Sequence, residues 1–110
     1  MAVRFEHQVI FCIVNSGYSE TVMTAAKKFG AKGGTVINAR GTASKEAETF
    51  FGVTVEPEKD IVMILVPTKR RDKILEALYD EVGLATAGQG IAFSIPVDGV
   101  VGLSEDTEDK

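Results

Sequence analysis

Two stretches in which every position is apolar, VIFCIV (Val9 to Val14) and IVMILV (Ile61 to Val66), dominate the pattern of the chain. Both are rich in β-branched residues and too short for buried helices, so they predict core strands over Gln8 to Asn15 and Asp60 to Val66. Asn15-Ser16-Gly17 is turn chemistry, and Ser19 followed by Glu20 suits a helix start. Val22, Ala25, Ala26 and Phe29 then recur at i, i+3, i+4 and i+7, one helical face that Gly30 should close. Gly33-Gly34 leads into a second strand, Thr35 to Arg40. Gly41 to Glu48 (GTASKEAE) is polar and small and reads as a long loop. Phe50 to Val55 resumes as one extended segment, which Glu56-Pro57-Glu58-Lys59 interrupts. A second helix opens at Pro67-Thr68, with Thr68 as N-cap. Ile74, Leu75, Leu78 and Val82 form its buried stripe, and Gly83 ends it. After Thr86 to Gly90, Ile91 to Val97 predicts a final strand whose Pro96 suits an edge or a bulge. A short segment at Val100-Val101 is expected to follow.

The order β-α-β-β-α-β predicts an α+β, ferredoxin-like fold, an antiparallel sheet with both helices on one face. Strands that are apolar at every position want burial on both sides. Two helices cover one side only, so the open face predicts self-association.

At 110 residues and 11.8 kDa, the chain makes one domain, here residues 1–103 with an acidic tail at 104–110. Hydrophobic residues make up 45% and charged residues 25%, ordinary for a globular domain and unlike a disordered or disulfide-scaffold chain. No apolar run exceeds six residues, so direct membrane insertion through a helix is not expected. The net charge is −4, of which Ser104 to Lys110, with four acids and one lysine, carries −3. Such a balance offers no general attraction to nucleic acid. A single cysteine and an N-terminus without a leader-like apolar stretch make the cytoplasm the expected compartment.

Candidate chemistry is sparse. His7 is the one histidine and Cys12 the one cysteine, and neither HxxxH nor CxxC is present. No metal site is predicted, and Cys12 reads as an inert core thiol. Glu46, Glu48, Glu56 and Glu58 read as a solvated rim, and nothing points to catalysis. Lys69-Arg70-Arg71 at a helix N-terminus opposes the macrodipole; it reads as a solvated charge run or a place for a phosphate. Glycine placement is more informative: Gly33-Gly34-Thr35 before one strand, Arg40-Gly41-Thr42 at its end, Gly88-Gln89-Gly90 before another. Each alone is a tight turn, but glycine also lets a ligand approach the backbone closely.

These residues carry a resemblance. GAKGGTVINARG (Gly30 to Gly41), PEKDIVMILVP (Pro57 to Pro67) and AGQGIAFSIPVDGVV (Ala87 to Val101) resemble the P-II nitrogen regulatory protein family in a divergent, short-loop form. The resemblance implies a homotrimer that binds an adenine nucleotide as effector (ATP, ADP or AMP) between subunits. It also implies a loop, here residues 41–51, that docks on a membrane transporter or metabolic enzyme. By position, Thr35 would hydrogen-bond the adenine edge and Ile64 would lie beside the adenine, with Gly33 also among the effector-binding residues. The Gly88-Gln89-Gly90 backbone would approach the phosphates, and Arg40, Gly41 and Thr42 would form the loop base.

Departures from the family pattern bear on the ligand. Ile91 stands where a lysine is usual, and Gly99, Gly102 and Ser104 stand in place of arginines. Leaving phosphate charges unpaired in a partly desolvated cleft costs several kcal/mol. A less charged ligand such as AMP, ADP or a cyclic dinucleotide is therefore expected, with Arg40 and Lys32 substituting in part for the missing cations. The lack of a loop tyrosine argues against uridylylation. The rival readings are a trimer like the CutA divalent-cation tolerance proteins, a small isomerase or nucleotide hydrolase on the same plan, and a scaffold without effector.

Overall fold

The computed structural model describes residues 5–41, 48–50, 53–55 and 57–103. In chain order these form β1 (His7–Asn15), α1 (Ser19–Lys27), β2 (Thr35–Arg40), β3 (Glu48–Phe50), β4 (Val53–Val55), β5 (Glu58–Pro67), α2 (Thr68–Val82) and β6 (Ile91–Val97). The main sheet runs β2-β5-β1-β6, and all its pairs are antiparallel. The two apolar runs thus pair with each other at the centre, Val9 opposite Leu65 and Ile13 opposite Ile61. With β3 and β4 set apart, this is the β-α-β-β-α-β, ferredoxin-like plan.

Alternation along β1 and β5 divides the sheet into two unlike faces. Ile10, Cys12, Val14, Val62, Ile64 and Val66 point toward the helices and are fully buried. Against them pack Val22, Ala25 and Ala26 of α1 and Ile74, Leu78 and Val82 of α2. Burying each such Val, Leu or Ile stabilises the fold by roughly 1.5–3 kcal/mol. The other face carries no helix. On it, Ile37, Ile61, Ile13 and Ile91 form one row across all four strands; Met63, Phe11 and Phe93 form a second, and Leu65, Val9 and Ile95 a third. Ile37, Ile91, Phe93 and Ile95 remain between 42% and 54% exposed. β6 borders the sheet beside β1 alone, so the missing N–H of Pro96 falls where an edge strand tolerates it.

Several expectations are corrected. Phe29 lies beyond the end of α1 and is 39% exposed, because the helix closes at Lys27 before the i+7 position is reached. Gly30, at φ +106°, then ends the turn. Thr68 does not cap α2. It is the first helical residue, and its hydroxyl donates to the Phe5 carbonyl at 2.6 Å, so it ties the start of the chain to the helix instead. Glu58 and Lys59 do not interrupt the sheet but begin β5, opposite Arg40 and Ala39. The single extended segment expected at Phe50 to Val55 is instead shared between two strands, β3 and β4, which pair antiparallel in their own two-stranded sheet. Within the expected 41–51 loop, Glu48–Phe50 is a strand, and residues 42–47 and 51 lie outside the described residues. No strand forms at Val100-Val101, and Val101 stands almost wholly exposed.

Candidate functional site

The sheet end at which β1 finishes and β5 begins holds a set of linked polar side chains. Asp60 is 5% exposed and accepts from the Gly17 backbone N–H at 3.2 Å and from Asn38 Nδ2 at 3.0 Å. Its carboxylate therefore pins the turn after β1 to strand β2. On the opposite face, Lys59 Nζ donates to Asn15 Oδ1 at 2.8 Å. Asn15 Nδ2 donates in turn to the Ala87 carbonyl at 3.0 Å, and its backbone N–H donates to the Gly88 carbonyl at 2.8 Å. Gly41 closes the end of β2 by donating to Pro57 at 2.9 Å. None of Asn15, Lys59, Asp60 and Asn38 stood out in the sequence. Their role depends on a register that juxtaposes residues up to 72 positions apart.

The expected site residues separate into three places. Arg40 and Gly41 lie at this sheet end, on the β2 border. Gly88, Gln89 and Gly90 lie at the same end, in the turn that enters β6. Gly33 and Thr35 lie lower on the β2 border, both exposed, with open space around Gly33. Its neighbour Gly34 is crowded, since a Cβ there would come within 2.9 Å of Met23 Sδ and of the Met63 carbonyl. Thr42 lies outside the described residues.

Ile64 is withdrawn from the site. It is fully buried on the helix face, whereas Thr35 pairs with Met63 and shares the open face. Strand periodicity of two puts Met63 and Leu65, not Ile64, on the same side as Thr35.

The Gly88–Gly90 turn is also less available to phosphate than glycine content suggests. Gly90 donates to Val82, Gln89 to Thr86 at 3.0 Å, and Gly88 to Thr86 Oγ1 at 3.3 Å. All three N–H groups are engaged within the chain, and Gln89 holds a left-handed φ of +49°. Apolar Ile91 follows this turn, whose three N–H groups all point to acceptors within the chain.

The remaining candidates have structural partners. Arg70 lies over Gly30, and its Nη1 donates to the Phe29 carbonyl at 3.4 Å. A cation that opposes the dipole of its own helix thus sits at the C-terminal end of the other. Arg71 reaches Asp72 at 2.9 Å and Ser94 Oγ at 3.5 Å. Burial pushes the Cys12 thiol up to about 11, which keeps it protonated and unreactive near neutrality. Among the described residues no three His, Cys, Asp or Glu side chains converge on a metal position. No helix among them is long and apolar enough to cross a membrane.

Strand order, two helices on one face and an apolar open face define an α+β domain of the ferredoxin-like class. The model of the family described as nitrogen regulatory protein P-II matches residues 7–107, and the chain belongs to that family of signalling proteins. Among solved structures it is similar to PII of Arabidopsis thaliana bound to citrate. That likeness has a TM-score of 0.65 at 21% identity, over 91% of this chain and 82% of that one. It is similar also to a PII-like signaling protein of Thermus thermophilus, with a TM-score of 0.64 at 22% identity, over 84% of this chain and 88% of that one. These likenesses show the fold. No curated protein matches the chain by sequence.

Proposed function

We propose that this P-II family chain is a homotrimeric cytoplasmic sensor, a regulator and not an enzyme. It binds a small adenine-containing effector between subunits and controls a membrane transporter or metabolic enzyme through the 41–51 segment. One observation carries this reading. The candidate contact residues are split between the two borders of the sheet, Gly33, Thr35, Arg40 and Gly41 on or next to β2 and Gly88–Gly90 beside β6. Two strands lie between those borders, a separation of about 14 Å at the usual strand spacing. One copy therefore holds two half-sites, and a second copy packed against the apolar face can join its β2 border to the first copy's β6 border. The engaged N–H groups of the turn and the apolar Ile91 favour an effector with less negative charge than ATP, such as AMP, ADP or a cyclic dinucleotide.

The test pairs light scattering with thermal shifts for ATP, ADP, AMP, cyclic dinucleotides and 2-oxoglutarate. A mass three times that of the chain is expected, with stabilisation by one of the less charged adenine compounds. A ligand at 100 times its Kd adds about 2.7 kcal/mol, a shift of several degrees for a domain of this size. Thr35→Ala should remove the shift and leave the trimer. A monomer would overturn the assembly, and silence across the panel would overturn the effector.

A further inference from the structure

We infer that Lys59 and Asn15 form a mechanical link between the end of β2 at Gly41 and the 86–90 turn, with Asn15 the residue that positions the turn. The link is a continuous set of contacts. The Lys59 stem lies so close to Gly41 that a Cβ on the glycine would sit 3.0 Å from Lys59 Cε. The ammonium at the tip of that stem donates to Asn15 Oδ1 at 2.8 Å. Because the ammonium can only donate, it fixes which end of the Asn15 amide faces Lys59. The NH2 end is thereby turned to the Ala87 carbonyl, 3.0 Å away. The backbone N–H of the same residue holds Gly88. Two attachments from one residue thus set the height of the turn over β1, just before Gln89 with its left-handed φ.

Displacing Lys59 removes the charge-assisted bond that orients the amide, and the Ala87 attachment loosens with it. Displacing the turn frees the Asn15 amide and, through Lys59, unseats the contact over Gly41. Either end can report a change to the other without movement of the apolar core. That the link carries an effector signal rests on the function proposed above; the link itself does not.

Amide hydrogen exchange, followed by NMR on the effector-free protein, tests the link apart from the proposed function. Lys59→Met keeps the apolar stem and removes the donor. It should speed exchange of the Asn15 and Gln89 amides about fivefold, the loss expected for one hydrogen bond. Asn15→Leu should speed exchange of the Gly41 amide, although residue 15 gives Gly41 no hydrogen bond. Lys59→Arg should restore protection, and the double variant should add little to either single one. Protection of the Ile10 and Ile64 amides serves as the check that each variant is folded. Unchanged Asn15 and Gln89 amides in Lys59→Met, or fully additive effects, would overturn the link. A ligand panel silent on wild type would bear on the effector alone.

Discussion

Phe11 and Phe93 stack across the β1–β6 pair, ring centroids 5.4 Å apart and planes inclined by 25°, on the side of the sheet that has no helix. Aromatic pairs contribute about 0.5–1.5 kcal/mol beyond their buried area. Here the pair also sits amid an apolar surface larger than scattered exposure explains. Phe93→Glu should therefore dissociate the proposed trimer while leaving the monomer folded. Light scattering would show the mass fall toward 11.8 kDa with the circular dichroism spectrum retained. An intact trimer would place the interface elsewhere.

The Cys12 thiol provides a pH signature. Its ordinary value of 9.0 is raised to about 11 by desolvation. Below pH 9 the thiol is neutral in both folded and unfolded chains, and its contribution to stability is complete. As pH rises from 9 toward 11, only the unfolded chain ionises, so stability falls, by about 2 kcal/mol at the upper end. Urea midpoints of wild type and Cys12→Ala should converge over that range. Parallel curves would show that the thiol does not contribute.

Gly90 leaves no room for a side chain. A Cβ there would lie 2.8 Å from Val14 Cγ1 and nearer still to the Val82 carbonyl oxygen, which accepts the Gly90 N–H. Gly90→Ala should lower stability by roughly 1–3 kcal/mol through overpacking. A denaturant midpoint within error of wild type would mean that the turn yields easily.

Asp60→Ala leaves the Gly17 N–H and the Asn38 amide without their acceptor in a half-buried setting. The expected loss is about 1–3 kcal/mol. Asp60→Asn should fall between, since its oxygen can serve one donor while its NH2 meets the other. Equal stability of Asp60→Asn and wild type would indicate that only one of the two bonds matters.

What could be read in the sequence follows from how locally each feature is encoded. The central strands announce themselves as VIFCIV and IVMILV, because residues apolar on both faces leave no helical or loop alternative. The uncovered face follows from the same runs and a count of two helices. Thr68 misleads because Thr beside Pro is a common helix start, while its actual partner is Phe5, 63 residues away. The β3–β4 pair has a local signal that one extended reading merges: Thr49-Phe50 and Val53-Thr54-Val55 flank Phe51-Gly52 in the sequence. Ile64 is misplaced by a single position, enough to send it to the far side of the sheet. Asn15, Lys59 and Asp60 carry no local signature, since each acquires meaning only from a partner on another strand.

The two-sided apolar character of β1 and β5 has a consequence for how the chain finds its own alignment. In most sheets a slip of one residue is forbidden by hydrophobicity, because it turns the greasy face to water. Here such a slip would exchange one apolar row for another and meet little resistance from that source. The discrimination falls instead on the polar residues at the strand ends. Gln8 and Asp60 belong on the helix side, Asn15 and Lys59 on the other, and a shift of one residue would strand all four. The hydrogen bonds at the ends of the sheet thus act as its indexing marks, setting a register that the core alone would leave ambiguous.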